Sequence, residues 1–136
     1  MRRVIHSNWR LFESPLKDVA IEVESAELAH LLVSFAGENN ASDVTMLDIR
    51  ELTTIADYFV ICTATSTVQM RAIANGIVGE VRDQIGLRGQ IEGNPSDGWM
   101  ALDFQAVLVH VFLPEKRDYY RLEEFWAAAP ALVQMV

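Results

Sequence analysis

The chain has 136 residues, 51% of them hydrophobic and 22% charged, a length and balance that suit one globular domain whose core needs neither disulfides nor metals. Cys62 is the single cysteine, which excludes an intramolecular disulfide and a cysteine metal cluster and fits a reducing cytosol. The net charge of −8 is concentrated between Asp18 and Asp57, where Arg50 is the only base, so the field disfavours nucleic acid as a direct ligand and draws basic partners.

No apolar run reaches the ~18–20 residues of a membrane span, and the opening MRRVIHSNWRLFESPLKD has no apolar core of the secretory kind. Its arginines hint at an organelle presequence, which Glu13 and Asp18 oppose. Residues 1–22 therefore read as a tail or an edge extension, residues 23–130 as the folded domain and 131–136 as a C-terminal tail.

Ser25 has the chemistry of an N-cap, and Leu28, Leu31, Leu32 and Phe35 follow at helical spacing until Gly37 and Asn39-Asn40. Val44–Ile49 and Tyr58–Thr63 read as strands, the second more apolar and so more buried. Ser66 with Gln69 forms a capping box for a long helix, along which Met70, Ile73, Ala74, Ile77, Val81 and Ile85 share one face. Gly86 stops it, while Gly76 and Gly79 mark close packing on the sheet.

Three short strand signals follow at Gln90–Glu92, Trp99–Asp103 and Val107–Phe112, with dense turn chemistry at 94–98 and a tight hairpin at Phe104-Gln105. Pro114 closes the last strand, and Asp118–Trp126 has the spacing of one helix. The fold class that results is α/β: one domain with a mixed sheet of about five strands and packed helices.

Candidate chemistry is thin. Cys62 and His110 lie on different strands, and no third group is placed to orient a thiol–imidazole pair, so both read as strand-interior residues. His6, His30 and His110 share no zinc-ligand spacing. Asp48 and Asp57 end one strand and begin the next, which suits solvated turn caps better than paired acids. Thr65-Ser66 opens a helix without the glycine-rich approach of a phosphate site. Trp99 differs, because it starts a strand directly after the Asp97-Gly98 turn, where one sheet face is open. Tryptophan and tyrosine are the residue types enriched at interface hot spots.

With these residues laid out, the chain resembles the ribosomal silencing factor family, also called Iojap-like proteins. The pieces that carry the resemblance are LDIRELTTIADYFVICTATS (Leu47–Ser66), the helix positions Gln69, Ile73 and Ala74, EGNPSDGWMALDF (Glu92–Phe104), VLVHVF (Val107–Phe112) and KRDYYRLEEFW (Lys116–Trp126). One departure stands at Ala64, where the family usually has glycine.

The resemblance implies a nucleotidyltransferase-like fold without the paired-acid motif of that enzyme class. It implies a cytoplasmic, cofactor-free, non-enzymatic role: binding the large ribosomal subunit at its protein fourteen and blocking small-subunit joining when nutrients fall. Some members form homodimers. Trp99, Leu102 and Asp103 match the segment that faces the ribosomal protein, and Glu92, Arg117 and Tyr120 match other characteristic positions. The alternatives are a nucleotidyl-transfer enzyme with a site near Ser66, Asp48 and Asp57, and a large-subunit assembly factor.

Overall fold

Two short strands, β1 (Val4–Ser7) and β2 (Ile21–Glu24), pair antiparallel as a small separate sheet ahead of the main one. The structure, a computed structural model, describes residues 4–7 and 21–135. The rest of the segment read as a tail or extension lies outside the described residues, as does the presequence question.

Helix α1 (Ser25–Glu38) buries Leu28, Ala29, Leu32, Val33, Phe35 and Ala36, whereas Leu31 is turned to the edge and exposed. Ser25 is its first residue rather than its cap; Glu24 holds the N-cap position without a side-chain capping bond. Strand β3 (Ser42–Asp48) then pairs antiparallel with β4 (Tyr58–Thr63), whose six residues YFVICT are all buried. Burial on both faces is why β4 reads as an uninterrupted apolar run rather than an alternation.

Helix α2 (Thr67–Ile85) starts where Ser66 Oγ accepts from the Gln69 backbone N–H at 3.1 Å. The Gln69 side chain turns further back than a capping box requires, its Oε1 accepting from the Thr65 hydroxyl at 2.8 Å. Gly86 ends the helix in the left-handed region at φ 79°, as its sequence position predicts. Gly76 does mark a close approach, but to Asn39 at the end of α1 rather than to the sheet. Asn39 Nδ2 in turn donates to Glu80 at 2.9 Å, fastening the two helices together.

The chain continues through β5 (Gln90–Asn94), a 3-10 turn at Pro95–Asp97, β6 (Trp99–Asp103) and β7 (Val107–Phe112). The β6–β7 hairpin turns on Gln105-Ala106, one residue later than predicted, because Phe104 N–H donates to the Val107 carbonyl and Gln105 takes φ 69°. In place of one helix over 118–126 there are two short ones, α3 (Pro114–Tyr120) and α4 (Leu122–Phe125), broken by Arg121 at φ 48°. Pro114 occupies the first turn of α3, where its missing N–H costs nothing.

Residues 131–135, expected as a tail, instead form an edge strand, β8 (Ala131–Met135), antiparallel to β3. The main sheet therefore has six strands in the order β5-β6-β7-β4-β3-β8, with β4 and β7 parallel and every other pair antiparallel. This is a single α/β domain with a mixed sheet, one strand larger than the strand signals along the sequence suggest.

Both long helices pack on one face of the sheet, against Val60, Cys62, Met100, Leu102, Val109 and Val111. Each fully buried large apolar side chain there contributes about 1.5–3 kcal/mol. The opposite face carries a smaller cluster of Leu47, Phe59, Ile61 and Phe112, roofed in part by Leu122 and Trp126 from the C-terminal segment. That short roof leaves the β5–β6 edge of this face open, while His110 and Phe112 of β7 stay buried.

Candidate functional site

Strand β6 alternates cleanly: Trp99, Ala101 and Asp103 are half-buried, while Met100 and Leu102 are buried. The register carries the first set across the sheet, pairing Trp99 with Phe112, Ala101 with His110 and Glu92, and Asp103 with Leu108. One face of β5, β6 and β7 thus carries Glu92, Trp99, Ala101, Asp103 and the buried His110. Leu102 is not part of it. At 0% exposure it sits in the helix-side core, so its assignment as a partner-binding residue is corrected: strand periodicity points it away from its neighbours Trp99 and Asp103.

The approach to Trp99 is fixed by local chemistry. Asn94 Oδ1 accepts from Ser96 N–H at 3.1 Å, Pro95 begins the 3-10 turn, and Gly98 closes it at φ 73°. A Cβ at Gly98 would meet the Lys116 side chain, and the Gly98 carbonyl accepts from Leu113 N–H at 3.0 Å. Gly98 therefore combines a backbone angle that favours glycine with a close approach of the α3 entry.

Aromatic rings brace Trp99 from several sides. Its indole stacks on Phe112 with centroids 5.1 Å apart and contacts Tyr120 at 4.7 Å. Trp99 Nε1–H donates to His110 Nδ1 at 3.1 Å. That bond requires a lone pair on Nδ1, so the imidazole is the neutral form with its proton on Nε2. Burial acts in the same direction, pulling the His110 pKa down to about 4. His110, which reads from sequence as a strand-interior residue, is the polar partner of the half-buried tryptophan. Its position across the β6–β7 hairpin, two residues from Phe112, which faces Trp99, and on the same strand face, is the signal from which this pairing follows.

A groove of about 480 Å³ opens beside the indole, lined among others by Glu92, Asp97, Trp99, Ala101, Lys116 and Tyr120. Of the predicted site residues, Glu92, Trp99 and Tyr120 thus share one groove, with Asp103 on the same strand face. Arg117 does not join them. Its guanidinium donates to Glu123 at 3.0 and 2.9 Å, to Thr63 Oγ1 at 2.8 Å and to the Asp43 carbonyl. It lines a second groove of about 540 Å³ and fastens α3 and α4 to the ends of β3 and β4. This side chain is mostly committed to holding the fold.

Among the described residues the catalytic alternatives weighed from sequence are not brought together. Cys62 lies on the helix side of β4 and His110 on the other face, and burial pushes the thiol up to about 12. Asp48 is held by Arg50 at 2.9 and 2.7 Å, and that side-chain bond keeps its carboxyl below the usual range. Asp57 is buried rather than solvated, contrary to its reading as an exposed turn cap, and neither aspartate lines the two grooves. Ala64 is fully buried without a left-handed angle and donates its N–H to the Phe112 carbonyl at 2.8 Å, so this turn does not require glycine. Among the described residues no three His, Cys, Asp or Glu side chains are grouped to hold a metal ion. No described helix is long and apolar enough to cross a membrane.

Residues 22–135 match the family model described as ribosomal silencing factor during starvation. A ribosomal silencing factor from Halalkalibacterium halodurans is 33% identical over 110 residues, covering 81% of this chain and 94% of its own. A mouse protein, mitochondrial assembly of ribosomal large subunit protein 1, is 33% identical over 100 residues, covering 71% of this chain and 43% of that longer protein. Among solved structures, one from Chromobacterium violaceum superposes with a TM-score of 0.73 at 30% identity, over 77% of this chain and 88% of that one.

Proposed function

The chain belongs to the ribosomal silencing factor family, and from that premise we propose that it binds the large ribosomal subunit through its protein fourteen and sterically blocks small-subunit joining. The observation that carries the proposal is the open end of the sheet. Trp99 is braced by Phe112, Tyr120 and His110, with Glu92 and Asp103 on the same sheet face, at the β5–β6 edge that the short helices cover only in part. A rigid aromatic anchor with acidic neighbours suits a basic protein surface. Occupancy alone would repress translation, so the reading requires no catalysis and no cofactor, and it places the protein in the cytoplasm. A homodimer fits the same reading.

Co-sedimentation with purified large subunits and an assay of subunit joining test the proposal. Trp99→Ala and Asp103→Lys are expected to lower both effects, the tryptophan variant by about 2–4 kcal/mol of binding, while leaving the fold cooperative. Retention of full binding by both variants would show that the face is wrongly assigned. A second reading, a factor in large-subunit assembly, draws on the name of the mouse relative and uses the same surface at a different time. Profiling whether the protein rides on immature or mature large subunits, in growing and in starved cells, separates the two.

A further inference from the structure

The only polar atom of the Trp99 side chain is already engaged, its N–H donating to His110 at 3.1 Å. What the indole offers a partner is therefore its π surface. Tyr120, 42% exposed, places a second ring 4.7 Å from it along the same groove. Two carboxylates, Glu92 and Asp97, line that groove, and both are exposed. A purely apolar occupant would satisfy the rings but strip water from the acids without replacing it. A cation meets both demands.

Among the described residues the one base lining the groove is turned elsewhere: Lys116 Nζ lies 5.5 Å from the Tyr119 ring centroid, and its stem packs against Gly98. At about 480 Å³ the space suits a side chain rather than a helix.

We propose that this groove seats one arginine side chain from a basic segment of the protein partner, its guanidinium against Trp99 and Tyr120 and its N–H donors toward Glu92 and Asp97. Arginine fits better than lysine. Its planar, weakly hydrated cation stacks on aromatic faces while its donors reach carboxylates at the edge, whereas an ammonium keeps its water. The inference rests on the docking reading above and names the chemistry that this site would recognise.

The test uses the full chain labelled with nitrogen-15 and titrated with N-acetyl-arginine amide or, separately, with the isosteric neutral N-acetyl-citrulline amide. The Trp99 indole N–H resonance, assigned by its disappearance in Trp99→Phe, is the reporter. Arginine amide is expected to shift it and citrulline amide to leave it nearly still, and Glu92→Gln with Asp97→Asn should abolish the difference. The same double variant should lower co-sedimentation with large subunits about tenfold, the scale of losing one charge-assisted anchor. Equal shifts from both amides, or none from either, overturn the arginine seat. If large subunits are still bound in that case, the docking reading survives without it. Conversely, an arginine-specific shift in a protein that fails to bind large subunits supports the seat and removes the docking reading.

Discussion

Replacing His110 with asparagine is expected to flatten the acid limb of the stability curve. The imidazole is 7% exposed and its pKa is pulled down by burial to about 4. In the unfolded chain a histidine takes up its proton near 6.5. Above that pH the group is neutral in both states and adds no pH dependence. As pH falls from 6.5 toward 4 the unfolded chain binds a proton that the folded chain refuses, so stability drops through this window. Below about 4 both states are protonated and the loss is complete. At 1.36 kcal/mol per pH unit the interval amounts to about 3 kcal/mol.

Protonation also removes the Nδ1 lone pair on which the Trp99 bond depends, and the rings packed on the imidazole, Phe59, Trp99 and Phe112, do not titrate in this range. The asparagine amide can replace Nδ1 as a hydrogen-bonding group without gaining a proton. Urea unfolding of both proteins is the assay. The carboxylates and the other histidines titrate in both chains and cancel on subtraction. Between about pH 7 and about pH 4.5 the parent should lose about 2.5 kcal/mol more than the variant. Parallel curves would refute the account of His110 as a neutral, buried acceptor.

Two further outcomes follow from packing. Arg117→Ala should cost about 1–3 kcal/mol in urea unfolding and speed proteolysis within 114–135, since it frees α3 from Thr63, Asp43 and Glu123 at once. Arg117→Lys should recover little, because an ammonium cannot bridge the three partners as the fork does. Leu102→Ala should lower stability by about 2–5 kcal/mol as a core truncation while the remaining folded protein binds large subunits as tightly as the parent. Weakened binding at unchanged stability would return Leu102 to the interface.

The parts of the fold legible in the sequence are those where one physical signal dominates. Tyr58–Thr63 is continuous apolar sequence because both of its faces are covered, and Ser66 with Gly86 bounds α2 by cap chemistry. Strand β8 was hidden because Ala131–Met135 is almost wholly exposed along an edge, so no burial pattern marks it. The break at Arg121 was hidden because arginine gives no warning of a left-handed angle.

At the site, the family segment pointed to Trp99, Leu102 and Asp103 as a block, but a strand cannot present consecutive residues to one side. Period-two alternation already separated Leu102 from the other two. His110 required pairing across the hairpin, a long-range fact that spacing within one strand does not carry.

The surface exists because the two faces of the sheet are covered by unequal lengths of helix. Helices α1 and α2 supply 14 and 19 residues to one face. Helices α3 and α4 supply 7 and 4 residues to the other. End to end those two short helices span about 17 Å, against about 24 Å across six strands. They cannot roof the whole sheet: Arg117 anchors them at the β3–β4 side, Tyr120 reaches only as far as Trp99, and β7 keeps His110 and Phe112 buried, so the uncovered part is the β5–β6 edge. What remains bare there is strand rather than loop, with its tryptophan held by a hydrogen bond and stacked rings. Such a surface loses little side-chain entropy on docking, which is where a steric blocker gains affinity without chemistry.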